Sequence, residues 1–595
     1  MALVSDVFSF FQGHNDDVRC MAQHPRDKNI IASGQNATIV NGKSNPPSIQ
    51  VWDSSNPESG KVFNLKCTQS DRAIRCLSFS GDGKYLVSVS NDDNHSLKVW
   101  DWKNSKLICD AKGDANPIFA IRGNPKDPSE FVSVGTKHIM FWKFDGNSIK
   151  GKRASAGTKE PATFYSIAFS ESGFAVAGAA DGNVYVFKAG TVSKVFPWHP
   201  KGKVLTIEPF QGGFISGGSD KTVRVWDSKL SQTVVHTFSE WVTAVWPSAN
   251  GHNLLVGTRA GDVFELRDFL SMSPLSGDAG LDAVTRGHSD GELWALAVVK
   301  GGNNFVTAGE DNTICLWDVR EHRMLKRAII SDKAGKAPLI KKASTTSKHP
   351  TNQCARGIAI SPDKRSIIVG TNNGEVAVFE TKTLVRKVLV DLNSFGKRNV
   401  KDQVGNWIQT IQFSPSGRTC AVGTHGSVVC LLDPNDNYKC KGTLSKSSSA
   451  ISSLDWSEDS AYIQTNDLGY ELLFYSVDED DLSKCKQVTS ATAMRDVQWA
   501  THTCKLGWPV QGIFDPAQGG QDINSVDVNP SRTLIATGDD NGDVKLFRYP
   551  AQKGAKADSY GGHSSHVVTT RFTPDEKFLI STGGHDLSII QWALN

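Results

Sequence analysis

"GHSDGELWALAVVKGGNNFVTAGEDNTICLWD", Gly287 to Asp318, decides how the rest of the chain is read. After Gly287-His288 comes an alternating apolar run, then a glycine turn. A second run carries Thr307-x-x-x-Asp311, and a third closes on Trp317-Asp318. Period-two alternation punctuated by Gly and Asp is the pattern of short strands joined by tight turns.

The stretch recurs. "HPKGKVLTIEPFQGGFISGGSDKTVRVWD" ends at Asp227, and "GHSSHVVTTRFTPDEKFLISTGGHDLSIIQW" ends at Trp592. "GHNDDVRCMAQHP" opens at Gly13, and "IQVWD" closes that unit at Asp53 after an inserted loop. Degenerate copies end at Trp102, Trp142, Phe187 and Leu266, and near Phe379, Leu432, Tyr475 and Phe547. This is the WD-repeat signature, one four-stranded propeller blade per unit. About twelve full units are too many for one ring of roughly four to eight blades. The expected fold is therefore all-β, two tandem WD-repeat β-propellers, with about six or seven blades in the first and about seven in the second. The weakest register, Ser271 to His288, places the domains at 1–275 and 276–595. A short piece, Arg495 to Asp515, reads as one more strand pair.

Four polar residues in a blade can form a buried hydrogen-bonded chain, since buried polar groups need partners. Three sets share one spacing: His288, Thr307, Asp311 and Trp317; His199, Ser216, Asp220 and Trp226; His563, Thr582, Asp586 and Trp592. These residues read as structural. The apparent His-x-x-His pair in "GGHSSHV" thereby loses its chemistry, because the repeat already assigns His563 a partner set. His566 and His585 fall in the adjoining loop and turn, where exposure is expected. No metal and no cofactor is expected. The eleven cysteines form no C-x-x-C pair, and Cys420, Cys430 and Cys440 fall on successive strand-like runs, as small buried residues would. The chain has no G-x-x-x-x-G-K-[ST], H-E-x-x-H or G-x-S-x-G, so no catalytic residue is named and no enzyme is expected.

A net charge of +3 does not mark a nucleic-acid binder. No apolar run reaches the ~18 residues that span a bilayer, and the start is a poor signal peptide. The expectation is a cytoplasmic protein with neither a nucleic-acid nor a membrane partner.

Several stretches carry more than the repeat. "RDVQWATHTCKLGWPVQGIFD", then "DINSVDVNPSRTLIATGDDNGDVKLFRYP", "GHNDDVRCMAQHP", "SLKVWDW" and "GHSDGELWALAV" resemble the echinoderm microtubule-associated protein-like family. The resemblance covers nearly the whole chain. It implies a pair of joined propellers that associates with tubulin or microtubules, and with other axonemal or cytoskeletal proteins, in the cytoplasm, cytoskeleton or cilium. A hydrophobic motif that the family usually carries just upstream has only "LVSDVFSFF" to stand for it here, which leaves six or seven blades open for the first ring.

One charged stretch is a candidate contact. Arg320 to Pro350 holds Arg320, Arg323, Lys326, Arg327, Lys333, Lys336, Lys341, Lys342 and Lys348 against Glu321 and Asp332, an excess of seven positive charges. Microtubule surfaces are acidic, so such a loop would attract them in a salt-dependent way. A solvated linker between blades is the competing reading. Lys150, Lys152, Arg153 and Lys159 form a smaller cluster. At the level of function, a general interaction scaffold, such as a ubiquitin-ligase or trafficking adaptor or an actin-associated tandem propeller, stands as the alternative.

Overall fold

Each repeat folds into a four-stranded antiparallel sheet, and consecutive blades of a unit pack face to face. The computed structural model describes residues 3–4, 13–14, 18–40, 43–56, 62–154, 162–188, 190–248, 250–277, 281, 283–331, 354–395, 406–514 and 522–594. Twelve four-stranded sheets and one two-stranded hairpin form among them. The chain divides into Ser9–Arg286 and Gly287–Asn595, the latter joined by Met1–Phe8. Each unit holds six of the four-stranded sheets. The hairpin, Thr38–Val40 with Lys43–Asn45, is the insertion in the first blade.

Two boundaries differ from the expected 275/276 division. Ala283–Thr285 pairs with Val263–Leu266, so the sixth blade keeps the chain in the first unit through Arg286. Leu3–Val4 pairs with Ile589–Leu594, so the N-terminal strand completes the last blade of the second unit. A single isolated strand is a weak sequence signal, and its partner lies at the other end of the chain.

Burial follows position in the meander. The second strands Leu86–Ser90 and Cys420–Thr424 are buried throughout, whereas no residue of the fourth strand Thr191–Phe196 is more than half-buried. Cys420, Cys430 and Cys440 do fall on three successive strands, and the first two are buried. Neighbouring blades share their cores: Ile49, Val51 and Leu65 of the first pack with Ile74, Leu77, Phe79 and Leu86 of the second. Fully burying such side chains contributes about 1.5–3 kcal/mol each.

The approach between blades depends on a glycine in the second strand. A Cβ on Gly370 would lie 2.2 Å from Ile408 Cγ2, and one on Gly217 would lie 2.5 Å from Val242 Cγ1. In both pairs the branched residue opens the inner strand of the next blade.

Arg495 to Asp515 does not form the expected strand pair. Among its described residues, and just ahead of it, are 3-10 turns at Ala491–Met494 and Trp508–Ile513, and one bridge joins Ser457 to Trp499. Side-chain polar groups take over the role of a ladder. The buried Asp455 accepts from Thr501 Oγ1 (2.7 Å), Thr503 N (2.7 Å), Cys504 N (2.9 Å) and Gln464 Nε2 (3.1 Å). Trp499 and Trp508 each stack on Phe474, while Val510 and Ile513 enter the core of the following blade with Val526 and Ile535. The segment is a strap between two blades.

Gly370→Ala should destabilise the second unit by about 1–3 kcal/mol through overpacking against Ile408. Differential scanning calorimetry checks this; an unchanged melting transition would show that the blades can part without cost.

Candidate functional site

The polar sets lie between the second and third strands of their blades. His288 Nε2 is 2.9 Å from Thr307 Oγ1, its Nδ1 is 2.9 Å from Asp311 Oδ2, and Trp317 Nε1 donates to Thr307 Oγ1 at 2.7 Å. His199 is placed alike: Nε2 is 2.8 Å from Ser216 Oγ, Nδ1 is 2.8 Å from Asp220 Oδ1, and Trp226 Nε1 donates to Ser216 at 2.9 Å. Burial pushes the Asp220 carboxyl up, but the bond and charge of His199, with the Thr222 hydroxyl and N–H, hold it below the usual carboxylate range.

The third set needs a correction. His563 Nε2 lies 2.7 Å from Ser581 Oγ, and Trp592 Nε1 donates to that same oxygen at 2.8 Å. Thr582 instead turns its hydroxyl to Thr569 O at 3.5 Å. Asp586 remains in the set, 3.3 Å from His563 Nδ1. The turn Gly583-Gly584-His585-Asp586 is one residue longer than Gly309-Glu310-Asp311 or Gly218-Ser219-Asp220. Counting back from the aspartate therefore lands one residue late, and in a strand one residue is the opposite face.

Two further sets depart from that spacing. His14 Nε2 lies 2.6 Å from Ser33 Oγ, which also receives Trp52 Nε1 at 3.0 Å, and Gln35 stands in for the aspartate at 2.7 Å from His14 Nδ1. In the second blade the histidine is replaced outright by an ion pair, Lys98 Nζ to Asp71 Oδ1 at 2.5 Å, with both side chains buried. The inserted hairpin and the lysine, respectively, break the pattern that the eye follows.

His566 and His585 meet at one carboxylate. His585 Nε2 is 2.9 Å and His566 Nε2 is 3.8 Å from the Glu292 carboxylate; His585 is exposed and His566 half-buried. Among the described residues, no group of three or more His, Cys, Asp or Glu side chains could hold a metal ion.

The basic stretch is only in part a loop. Arg323–Ile329 is the outer strand of the first blade of the second unit, paired with Thr313–Asp318. Arg320 is exposed in the preceding turn. Arg323 pairs with Glu321 at 2.6 Å, and Lys326 Nζ donates to Lys382 O at 2.6 Å. Arg327 donates to Gly287 O at 3.3 Å. Lys333, Lys336, Lys341, Lys342 and Lys348 lie outside the described residues, as does Lys159 of the smaller cluster. Lys150, Lys152 and Arg153 also sit on an outer strand, Ile149–Arg153.

Two propellers of this geometry have counterparts among known families. Residues 9–266 match the echinoderm microtubule-associated protein first beta-propeller, and residues 293–594 match the second. The chain belongs to the echinoderm microtubule-associated protein family. It is 34% identical to echinoderm microtubule-associated protein-like 1 of Mus musculus, over 98% of this chain and 67% of that protein. It is 33% identical to the human echinoderm microtubule-associated protein-like 2, over 98% of this chain and 84% of that one. Against the 77 kDa echinoderm microtubule-associated protein of Lytechinus variegatus the identity is 32%, over 98% and 82%. In this chain the "WATHTC" stretch that carried the resemblance is the strap that clasps Asp455. No helix among the described residues is long and apolar enough to cross a membrane.

Ser581→Ala should cost about 1–3 kcal/mol by leaving the Trp592 indole without its acceptor and the His563 imidazole without its hydroxyl partner. Thr582→Ala should cost less, since its hydroxyl serves no buried group but a 3.5 Å carbonyl contact. Urea unfolding of the two variants decides the assignment; the reverse order would restore Thr582 to the set.

Proposed function

We propose that this chain is a non-enzymatic microtubule-associated protein that attaches through surface segments of its propellers. The observation that carries the reading is the match of both propellers, 9–266 and 293–594, to the two domains of one microtubule-associated family. The relatives named as microtubule-associated align over 98% of this chain. A cytoplasmic, cytoskeletal location, with the ciliary axoneme as one setting, belongs to the same proposal.

The contact is assigned to Arg320–Lys348. Blade strands use their backbone groups in pairing, so partners are met by loops and by side chains that the strands leave unpaired at the ring faces and outer edges. This stretch leaves the outer strand at Ile329 and carries five further lysines before the next described residue, Cys354. Arg320, Arg323 and Lys326 are exposed on the same blade. Attraction of this kind to an acidic lattice is steering by net charge and is screened by salt.

Neutralising Lys333, Lys336, Lys341 and Lys342 to glutamine should weaken microtubule pelleting and flatten its salt dependence. At ~0.2–1 kcal/mol per exposed pair, the four together contribute at most a few kcal/mol. The measurement is co-sedimentation with taxol-stabilised microtubules over a salt series, with actin filaments in parallel. Superimposable curves would reduce the stretch to a linker. Pelleting of the wild type with actin alone would replace the microtubule reading by the actin-associated one.

A further inference from the structure

The six inner strands of the first propeller all slip register at one place. The pairing skips one residue between Val18 and Cys20, Ile74 and Cys76, Ile118 and Ala120, Phe164 and Ser166, Val204 and Thr206, and Val242 and Ala244. The skipped residues are Arg19, Arg75, Phe119, Tyr165, Leu205 and Thr243. A bulge leaves its extra residue out of the ladder and re-aims the side chain. Here Arg19, Arg75 and Phe119 line a central cavity of about 600 Å³, to which all six inner strands contribute.

Four side chains from consecutive blades form a stack at this ring. The Arg75 guanidinium lies 5.5 Å from the centre of the Phe119 ring. Phe119 stacks on Tyr165, with centroids 5.4 Å apart and planes 10° apart. Lys203 Nζ lies 5.1 Å from the Tyr165 ring centre and 3.1 Å from its hydroxyl. Cation–π contact fixes two flexible cations in place. Arg75 is held further by its Nε, which donates to Ile118 O at 2.9 Å.

These cations lack counter-charges. Among the described residues no carboxylate pairs with Arg19, Arg75 or Lys203. The one acid lining the cavity, Glu208, is taken by Arg122. The second propeller is different at the equivalent ring. Its bulged arginine, Arg356, is paired with Glu310 at 2.7 Å and packed against Trp294 and Trp407.

We propose that the bulge ring of the first propeller is a docking site for an acidic peptide segment, a run of glutamate or aspartate side chains carried by a protein partner. Arg19 and Arg75 line the cavity and Lys203 continues the row along the stack, so the positive charges come from three blades, which suits a row of carboxylates better than a single small anion. Held in advance by ring contacts, Arg75 and Lys203 lose little freedom on binding. A nucleic acid fits less well. Phe119 lies between Tyr165 and Arg75, and Tyr165 has one face on Phe119, which leaves a single ring face for a base to stack on. Where the partner is the acidic surface of a microtubule, the inference deepens the function proposed above and rests on it; peptide binding itself is independent of it.

The test is fluorescence anisotropy of the full chain with a labelled ten-residue polyglutamate peptide, a polyglutamine peptide of equal length and a ten-nucleotide oligothymidylate. Polyglutamate should bind at least tenfold more tightly than polyglutamine. Arg19→Gln with Arg75→Gln and Lys203→Gln should weaken it about tenfold. Replacing Lys106, Lys194 and Lys229, exposed on outer strands and a loop of the same propeller, by glutamine should leave it unchanged. Should the first triple variant fail to fold, Arg19→Gln alone must still weaken binding about twofold. Wild-type affinity in the folded triple variant, or oligothymidylate bound as tightly as polyglutamate, would overturn the proposal. Microtubule pelleting in parallel separates the two readings. Peptide binding without any pelleting would sink the microtubule assignment and leave this site standing; pelleting without peptide binding would do the reverse.

Discussion

The contact that governs this structure is the seating of a branched side chain against a glycine of the blade before it. Ile74 sits on Gly34, Val204 on Gly178, Val242 on Gly217, Ile408 on Gly370, Ile451 on Gly423 and Val567 on Gly538. In each pair a Cβ on the glycine would stand 2.2–2.6 Å from the branched side chain. Only the bare backbone lets two blades come this close. The branched residue is also the last one paired before the register slips, so the contact that spaces the blades fixes where each bulge falls. Packing at the centre of the blades thereby decides which side chain stands at the channel mouth. The sequence is free to change that side chain without disturbing the anchor next to it.

The second constraint is that each blade must satisfy its own buried polar groups. The chain meets it in several ways. His288, His199 and His563 receive a hydroxyl and a carboxylate; Lys98 receives Asp71; Asp455 receives the backbone and hydroxyls of a segment that has no ladder of its own. The last case explains why Arg495 to Asp515 is more distinctive than any Trp-Asp repeat. A strand can tolerate many substitutions that keep its alternation. A strap held on one carboxylate by the Thr501 and Thr503 hydroxyls, with the N–H groups of Thr503 and Cys504, needs those two hydroxyls at those positions.

Much of the architecture was legible because it is periodic. The clear units ending at Asp53, Asp227, Asp318 and Trp592, with eight degenerate copies, gave about twelve blades, matched by the twelve four-stranded sheets, six and not seven of them in the second unit; the spacing from hydroxyl to aspartate to tryptophan gave two polar sets whose contacts the structure places at 2.7–2.9 Å. What was not legible broke the period. An extra glycine shifted Ser581 against Thr582; an inserted hairpin hid the set of His14, Ser33 and Trp52; a two-residue strand at Leu3–Val4 has no pattern to show. The basic stretch was legible as exposed and charged, but not as partly strand. Charge marks exposure, and an outer strand such as Arg323–Ile329 is as exposed as a loop. The bulge ring was illegible because its six members share a position and not a residue type.

That ring shows how two similar scaffolds take on different chemistry. In both propellers a bulge follows the anchor, and in both an arginine occupies one bulge, Arg75 in the first and Arg356 in the second. Arg356 is neutralised within its own propeller by Glu310 and enclosed by two indoles, so its charge is spent on holding that mouth together. Arg75 faces no acid; its partners are the Phe119 ring and a backbone carbonyl, which orient the guanidinium without cancelling it. A paired charge contributes to specificity of packing, whereas an oriented and unpaired one is available to a ligand. On a chain whose net charge is only +3, recognition of an acidic partner must come from such local placement.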